Sequence, residues 1–282
     1  QFTRKYWLRT YKLEESDLVP EAEPGTFQPA APVQFAAGAN SATVKGTVKG
    51  DDSVDYTLVA KAGTPVAEIT ARLASERQRL GFEVPDLRAV LGRSGTSTIG
   101  GVVASNASGP RRVQVGGCRD ALLGVRFIDG RGEVVKNGGR VMKNVTGYDL
   151  VKLMAGARGS LGVLTEVSFK VQAMPEAEAT LACDCDAAAG LADLRKALGS
   201  PFDVSGAAWI NGRALLRIEG MAGSVAYRAE RLRALLPGWQ QATAEWRDVR
   251  DVLPFAGRAG SLWRLVVTPT AAAEIVTRLG GE

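Results

Sequence analysis

The chain has 282 residues, of which 45% are hydrophobic and 23% charged, so its composition is that of an ordinary globular protein and excludes the disordered and fibrous classes. Its formal net charge of +5 comes from Lys and Arg scattered among acidic residues, which argues against a nucleic-acid-binding stripe. It contains no histidine, which excludes nucleophiles activated by imidazole and histidine-ligated metals.

Residues 1–32 are predicted to form an N-terminal arm or linker. They begin basic and aromatic and then become acidic and proline-rich, which is typical of an extended connection rather than of a core element. The start lacks the apolar core of a secretory signal, and no apolar run approaches the roughly 20 residues that span a bilayer. We therefore expect a cytoplasmic protein.

A domain is predicted over 33–173, beginning with a strand that enters a turn of small residues. The turn contains Gly38, Ala39, Asn40 and Ser41. Backbone N–H groups converge in such a turn where glycine takes a positive φ, which suits a phosphate, although an ordinary turn has the same composition. Residues 56–62 then alternate like a half-buried strand, and Thr64-Pro65 begins a predicted helix that ends near Gly81.

The segment 94–120 is rich in glycine and serine around a short apolar core. It is expected to make a poor helix and a poor solvated linker, because glycine and serine lose backbone entropy while the apolar residues favour burial. Glycines permit a ligand to approach the backbone closely, and free N–H and hydroxyl groups suit phosphates or polar ring atoms. The segment therefore predicts one wall of a site for a bulky ligand.

A hairpin is predicted over 122–135, where an Asp-Gly turn separates two β-prone runs. A short helix is expected over 144–154. The segment 156–162 then has a glycine at every third position and leads into a strand that continues to Val171. A backbone so bare of side chains can accept a flat ligand against it.

Beyond Pro175 the composition changes, with clearer helical periodicity. The order strand, helix, strand, strand, helix, strand is predicted from 179 to 246, which is a ferredoxin-like plait of one sheet with two helices on one face. A further strand is predicted at 262–268. The fold class is therefore α+β, with a smaller ferredoxin-like domain at 177–282.

The chain has three cysteines, Cys118, Cys183 and Cys185. Their number and spacing suit neither a disulfide framework nor a structural zinc site, so we expect small buried side chains and no metal. An iron–sulfur cluster generally takes four thiolates, so none is expected on this chain.

Four sequence blocks follow one another along the chain: Gly-Thr-Pro at 63–65, Ser-Thr-Ile-Gly-Gly-Val-Val-Ala-Ser-Asn at 97–106, Tyr-Asp-Leu at 148–150 and Gly-Ser-Leu-Gly-Val-Leu-Thr-Glu at 159–166. Together they resemble the PCMH-type FAD-binding domain of the vanillyl-alcohol oxidase superfamily, and four ordered blocks are more specific than one glycine motif. Within that superfamily, the segments 108–112, 117–125 and 139–149 resemble the E-subunit family of bacterial glycolate oxidase (glycolate dehydrogenase).

The resemblance implies a PCMH-type domain of two α+β subdomains, followed by a ferredoxin-like cap domain, and a non-covalent FAD. It implies that 38–41 and 98–109 follow the pyrophosphate and flavin, and that 159–163 meets the adenosine. The cofactor-binding residues carried over are Gly38, Ala39, Asn40, Ser41, Thr98, Gly100, Gly101, Ala104, Ser105, Ser108, Gly109, Gly159, Gly162 and Val163. The region 46–55 is shorter than the family's connection, and the chain is expected to lack the family's usual C-terminal segment.

The same resemblance implies a flavoprotein oxidoreductase subunit acting on CH–OH donors, within a hetero-oligomer that oxidises glycolate or a similar small 2-hydroxy acid. The implied partners are a paralogous FAD-binding catalytic subunit and an iron–sulfur subunit, through which the chain would associate peripherally with the inner face of the membrane. Catalytic relatives use a histidine and this chain has none. We therefore expect electron transfer here and substrate chemistry on a partner, and we assign no catalytic residue.

Two other functions stay open at this point. One is a self-sufficient flavin dehydrogenase, in which Arg111 or Arg112 holds a substrate carboxylate and Tyr148 or Lys143 assists deprotonation. The other is a scaffold subunit that has kept the fold and lost FAD.

Overall fold

The computed structural model of the chain describes residues 41–47, 54–139 and 148–279. Within these ranges there are two antiparallel sheets, each with its own hydrophobic core. The α+β fold class predicted from the sequence is confirmed. The predicted arm at 1–32 and the predicted site residues Gly38, Ala39 and Asn40 lie outside the described residues.

The first sheet has six strands in the order β1-β2-β6-β4-β5, with β3 pairing separately with β6. Its strands are β1 (Ser41–Thr47), β2 (Val54–Lys61), β3 (Gln78–Leu80), β4 (Leu122–Ile128), β5 (Val134–Gly138) and β6 (Val163–Ala173). The long strand β6 is central, because it pairs with β2, β3 and β4. The predicted hairpin is observed as β4 and β5, which pair with each other.

Short helices connect the strands of this sheet, and all but the second and the fourth contribute buried side chains to its core. They are α1 (Val66–Ser75), α2 (Arg88–Leu91), α3 (Ile99–Ser105), α4 (Arg112–Val115), α5 (Cys118–Ala121) and α6 (Leu150–Met154). Helix α1 follows Pro65 as predicted, but it ends at Ser75 rather than near Gly81. The reason is Arg77, whose φ of 55° is incompatible with continuing the helix. The following residues pair with β6 instead.

The prediction that 94–120 makes a poor helix was wrong for part of the segment, because α3, α4 and α5 all lie in it. Helix α3 forms although it contains two adjacent glycines. Its apolar residues Ile99, Val102 and Val103 are buried in the core of the first sheet, and this tertiary burial outweighs the low helix propensity.

The second sheet has four strands in the order β10-β7-β9-β8. Its strands are β7 (Ala177–Asp184), β8 (Gly206–Ile210), β9 (Arg213–Gly220) and β10 (Gln240–Ala242), and its two main helices are α7 (Ala187–Leu198) and α8 (Ala222–Leu235). Both helices pack on one face of the sheet. This strand and helix order is the plait that periodicity predicted, whereas its role as a cap over a cofactor stays a prediction.

The strand predicted at 262–268 does not form within the described part of the chain. After α9 (Trp246–Arg250) and a 3₁₀ turn at Leu253–Phe255, the chain passes through Gly257 and Gly260, both with positive φ. It then reaches the outer side of α7, where Pro269 O accepts a hydrogen bond of 3.0 Å from Arg195 and α10 (Ala272–Arg278) follows. The β-prone run therefore never reaches a free sheet edge, and Trp263 is 80% exposed.

Candidate functional site

A cleft of about 370 Å³ opens between the end of β2, helix α3 and the loop that leads into β6. Small-molecule sites commonly have volumes of roughly 300–1,000 Å³. The lining consists mainly of glycines and small or apolar side chains. The lining residues are Ala62, Gly63, Thr98, Gly100, Gly101, Ala104, Met154, Arg158, Gly159, Gly162, Val163 and Leu164.

Helix α3 forms one wall of the cleft. The hydroxyl of Thr98 accepts a hydrogen bond of 3.4 Å from Gly101 N–H and so caps the first turn. The helix ends at Asn106, whose φ is 49°. Because the apolar side chains of the helix are buried on its opposite face, Gly101 and Ala104 are left toward the cleft.

Gly100 allows α3 to touch the end of β2. Its N–H donates a hydrogen bond of 2.8 Å to Ala62 O. A Cβ on Gly100 would lie 2.6 Å from the Cβ of Ala62 and 2.8 Å from Ala62 O, which is closer than non-bonded atoms can stand. A glycine at this position therefore sets the distance between the helix and the strand.

The second wall is the loop 156–162, which is tied by its backbone to the end of α3. Gly156 N–H donates to Val103 O at 2.9 Å, and Arg158 N–H donates to Ala104 O at 2.8 Å. Gly159 has a φ of +80°, and a Cβ added there would meet nothing within 4 Å. The backbone of this wall thus has open space at Gly159, whereas a Cβ on Gly162 would collide with Ile128 O.

The cleft brings together half of the predicted cofactor-binding positions. These are Thr98, Gly100, Gly101, Ala104, Gly159, Gly162 and Val163. Their contact with the cofactor stays a prediction. The structure does bring the segments 98–104 and 159–163, which are distant in the sequence, to one cleft, as binding of one ligand to both requires.

The other described candidates do not line this cleft. Ser41 begins β1 opposite Ala60. The hydroxyl of Ser105 donates to Gly101 O at 2.7 Å, and that of Ser108 accepts from Cys118 N–H at 2.8 Å. Gly109 is also engaged within the protein, because its N–H donates to Glu83 O at 2.9 Å.

Arg111 is committed to a buried ion-pair cluster that joins the first sheet's loops to β9. It is 8% exposed, and its Nε and Nη2 donate to the two carboxylate oxygens of Glu219 at 2.9 and 3.0 Å. Arg217 donates from Nη1 and Nη2 to Glu83 at 2.8 and 3.0 Å. Arg79 also pairs with Glu219. We refer to these residues as the interface cluster.

This geometry contradicts the hypothesis that Arg111 holds a substrate carboxylate, because its Nε and Nη2 already donate to the carboxylate of Glu219. The other residues of that hypothesis lie elsewhere. Arg112 is exposed at the start of α4, Tyr148 is 89% exposed and outside the cleft lining, and Lys143 is outside the described residues.

The two carboxyl groups of the interface cluster have lowered pKa values and are therefore ionised at neutral pH. Burial disfavours the carboxylate of Glu219, but the hydrogen bonds and charge of Arg111, with the charge of Arg217, outweigh it and lower the pKa of Glu219 to about 2. For Glu83, burial acts in the same unfavourable direction and is outweighed by Arg217 and Arg111, so its pKa is also lowered.

Two further titratable groups near α5 are structural. Burial raises the pKa of the Cys118 thiol to about 12, so that it is no nucleophile. Burial lowers the pKa of Lys152, whose Nζ donates to the carbonyls of Arg119 and Leu122 at 2.6 and 2.9 Å.

Two features are absent from the described ranges. No group of His, Cys, Asp or Glu within them could hold a metal ion. No helix of residues 41–47, 54–139 or 148–279 is long and apolar enough to cross a membrane.

Comparison with known proteins identifies the domain. Residues 41–138 match the family described as the FAD binding domain, which includes α3 and the end of β2. The chain is 38% identical over 215 residues to glycolate oxidase subunit GlcE of Escherichia coli (strain K12), covering 76% of this chain and 59% of GlcE.

Residues 41–138 therefore form an FAD binding domain, and the chain as a whole is similar to GlcE. It spans 59% of the length of its GlcE relative. It is also 39% identical over 85 residues to glycolate oxidase subunit GlcD of Bacillus subtilis (strain 168), covering 30% of this chain and 18% of GlcD. A third relative is the mitochondrial D-lactate dehydrogenase [cytochrome] of Arabidopsis thaliana, 34% identical over 98 residues, or 35% of this chain and 17% of that enzyme.

A solved structure shares the fold. The GlcE-like chain aligns with alkyldihydroxyacetonephosphate synthase with a TM-score of 0.55 over 71% of this chain and 42% of that one, at 19% sequence identity. The likeness shows that the two chains share a fold over the aligned part.

The lining of the cleft is compatible with FAD in its donors and in its bare backbone. Bare backbone at Gly63 and Gly159, where an added Cβ would meet nothing within 4 Å, leaves room for a flat ring or a diphosphate. The hydroxyl of Thr98 and the guanidinium of Arg158 are the polar side chains available in the lining. The family match and the lining agree on FAD as the cofactor.

Sequence reasoning missed several lining residues, namely Ala62, Gly63, Met154, Arg158 and Leu164. Gly63 was assigned to the family pattern without a role in the site. Arg158 stands between two glycines of the predicted loop, and this position was a signal that could have identified it.

Proposed function

We propose that this chain is the FAD-binding subunit of a multi-subunit dehydrogenase (oxidase) that converts glycolate or a similar small 2-hydroxy acid to the 2-oxo acid. The cleft, with its lining of bare backbone, is the observation that carries the proposal, and the similarity to GlcE and GlcD supports the substrate class. When bound, FAD accepts two electrons from a donor and passes them on.

The chain's own residues bind and orient this cofactor. Thr98 offers its hydroxyl, Gly100 and Gly101 leave α3 without side chains toward the cleft, and the loop 156–162 offers a second backbone surface opposite. The cofactor is held without a covalent bond in this proposal, since the described lining of the cleft contains no histidine, cysteine or tyrosine to which a flavin could be tethered.

Substrate chemistry is assigned to a partner. Oxidation of a 2-hydroxy acid requires a base that removes the hydroxyl proton. Among the described residues, the cleft lining has no carboxylate, tyrosine, lysine or histidine. A paralogous FAD-binding subunit of GlcD type is the proposed catalytic partner, and this chain relays electrons or holds the assembly.

The electrons leave through an iron–sulfur subunit in this proposal. The sequence has three cysteines, and the described residues offer no cluster-binding group, so the iron–sulfur centre belongs to another chain. The complex is proposed to be cytoplasmic and to associate with the inner face of the membrane through its partners.

The first experiment is the visible absorbance spectrum of the purified chain. We expect the band of oxidised flavin, and release of FAD into the supernatant on acid denaturation, because binding is non-covalent. A colourless protein that also fails to bind added FAD would contradict the proposal and support the scaffold function.

A second experiment tests whether substrate oxidation takes place on the partner subunit. Glycolate should leave the flavin of the isolated chain oxidised under anaerobic conditions and should bleach it once the GlcD-type partner is added. If the isolated chain oxidised glycolate as fast as the reconstituted complex, the assignment of substrate chemistry to the partner would be wrong.

A further inference from the structure

Arg158 has an unusual backbone for a residue with a long side chain. Its φ is 53°, in the left-handed region where glycine and asparagine are favoured. The hydrogen bond of 2.8 Å from its N–H to Ala104 O holds this conformation, and Gly156 and Gly159, on either side, also have positive φ. A long side chain on such a backbone beside the cleft motivates the hypothesis that the side chain has a function there.

The guanidinium of Arg158 is exposed at the cleft and has no acidic partner among the salt bridges of the described residues. In contrast, Arg111 and Arg217 of the interface cluster are fully paired with carboxylates. Arg158 is also the one charged residue in the part of the cleft lining that the structure describes. The site therefore has a free positive charge and no competing carboxylate.

We propose that Arg158 binds the diphosphate of FAD and makes the cleft selective for a dinucleotide over an uncharged flavin. This inference rests on the proposed role of the cleft as the FAD site. A diphosphate is a double anion, and a guanidinium forms paired, charge-assisted hydrogen bonds with phosphate oxygens. The left-handed backbone at Arg158 and its tie to α3 fix where the side chain leaves the loop.

The experiment compares Arg158→Asn, Arg158→Lys and Arg233→Ala in the full chain. Asparagine tolerates a positive φ, so the melting temperature of Arg158→Asn should be unchanged or higher. Its Kd for FAD should rise about tenfold, as expected for loss of a hydrogen bond to a charged group. The Kd for riboflavin, which has no phosphate, should stay the same.

Two variants serve as controls. Arg158→Lys keeps the charge but cannot form the paired hydrogen bonds, so its Kd for FAD should lie between those of the wild type and of Arg158→Asn. Arg233→Ala removes an equal charge from the exposed side of α8 and should bind FAD like the wild type. Kd values are measured by titrating flavin-free protein with each ligand and following flavin fluorescence.

The outcomes separate the claims. If the wild type binds FAD and Arg158→Asn binds it equally well, this inference is overturned while the proposed function stands. An equal loss of FAD affinity in Arg158→Lys and Arg158→Asn would indicate stacking on the adenine ring and would overturn the diphosphate contact. A wild type that binds no FAD contradicts the proposed function and this inference with it.

Discussion

Gly100 is the residue on which the spacing of the cleft depends. In Gly100→Ala the new Cβ would stand 2.6 Å from the Cβ of Ala62 and 2.8 Å from Ala62 O, so α3 must move away from β2. Overpacking of this kind costs about 1–3 kcal/mol. We expect a lower free energy of unfolding in urea and weaker FAD binding by fluorescence titration.

The matched control is Gly130→Ala, in the turn between β4 and β5. A Cβ there meets nothing within 4 Å, so stability and FAD affinity should stay near those of the wild type. Unchanged FAD binding in Gly100→Ala would show that the close approach of α3 to β2 is not needed for the site.

Cysteine reactivity tests the burial of a single side chain. Cys118 is fully buried and the pKa of its thiol is raised to about 12, whereas Cys183 and Cys185 are half-buried. We expect Cys118 to stay unmodified by a maleimide at neutral pH until the protein unfolds, as measured by mass spectrometry of peptides. Rapid labelling of Cys118 in the folded protein would contradict the packing of α5.

At the scale of elements, the contribution of the α6 N-cap to stability can be measured by itself. The carboxylate of Asp149 accepts a hydrogen bond of 3.1 Å from Lys152 N–H, and α6 carries Met154 into the cleft lining. Asp149→Ala should destabilise the protein by about 1 kcal/mol, as loss of such a cap typically does. Asp149→Asn keeps the acceptor and should cost much less. The two variants can be compared by chemical denaturation, and equal stabilities would argue against the cap.

Elements with a clear local pattern could be predicted from the sequence. The hairpin of β4 and β5 has its Asp-Gly turn, and the plait of β7 to β10 has distinct helical and strand periods. The end of α1 could not be predicted, because it depends on the left-handed Arg77. The strand predicted at 262–268 failed for a different reason: a β-prone run forms a strand only if it reaches a free edge.

In the candidate site, too, features with a local sequence pattern could be predicted and those that depend on distant residues could not. The two glycine-containing walls could be predicted, because glycine leaves a signal in the sequence. Arg111 was a plausible carboxylate ligand until its partner was visible, since Glu219 lies 108 positions further along the chain. Arg158 lies in the predicted glycine loop, but the hydrogen bond that ties this loop to α3 could not be predicted from the sequence.

At the scale of the whole molecule, the interface cluster holds the two sheets together. Glu219→Gln leaves buried guanidinium groups of Arg111 and Arg79 without their carboxylate. Breaking a buried pair in this way costs about 3–5 kcal/mol, so we expect a loss of this size in the free energy of unfolding at pH 7. The control is Asp184→Asn, whose pair with Arg213 is exposed and should contribute less than about 1 kcal/mol.

Acid should remove the contribution of Glu219. Its pKa is lowered from 4.5 to about 2 in the folded protein, because Arg111 outweighs the effect of burial. A lowered pKa stabilises the fold above the unfolded value and loses this effect as the pH falls toward the folded value. The stability difference between wild type and Glu219→Gln should therefore shrink from pH 5 toward pH 2. If the stability difference between the two proteins did not change with pH, the ionised carboxylate of Glu219 would not be its cause.

The central position of β6 has a consequence for how the chain folds during synthesis. This strand pairs with β2, β3 and β4, and all three precede it in the sequence. A nascent chain that has not yet reached Ala173 therefore exposes sheet edges with no complete partner, and such long-range pairing is slow. Because the cleft wall at Gly162 and Val163 stands at the start of the same strand, the cofactor cannot assist folding before the sheet itself can close.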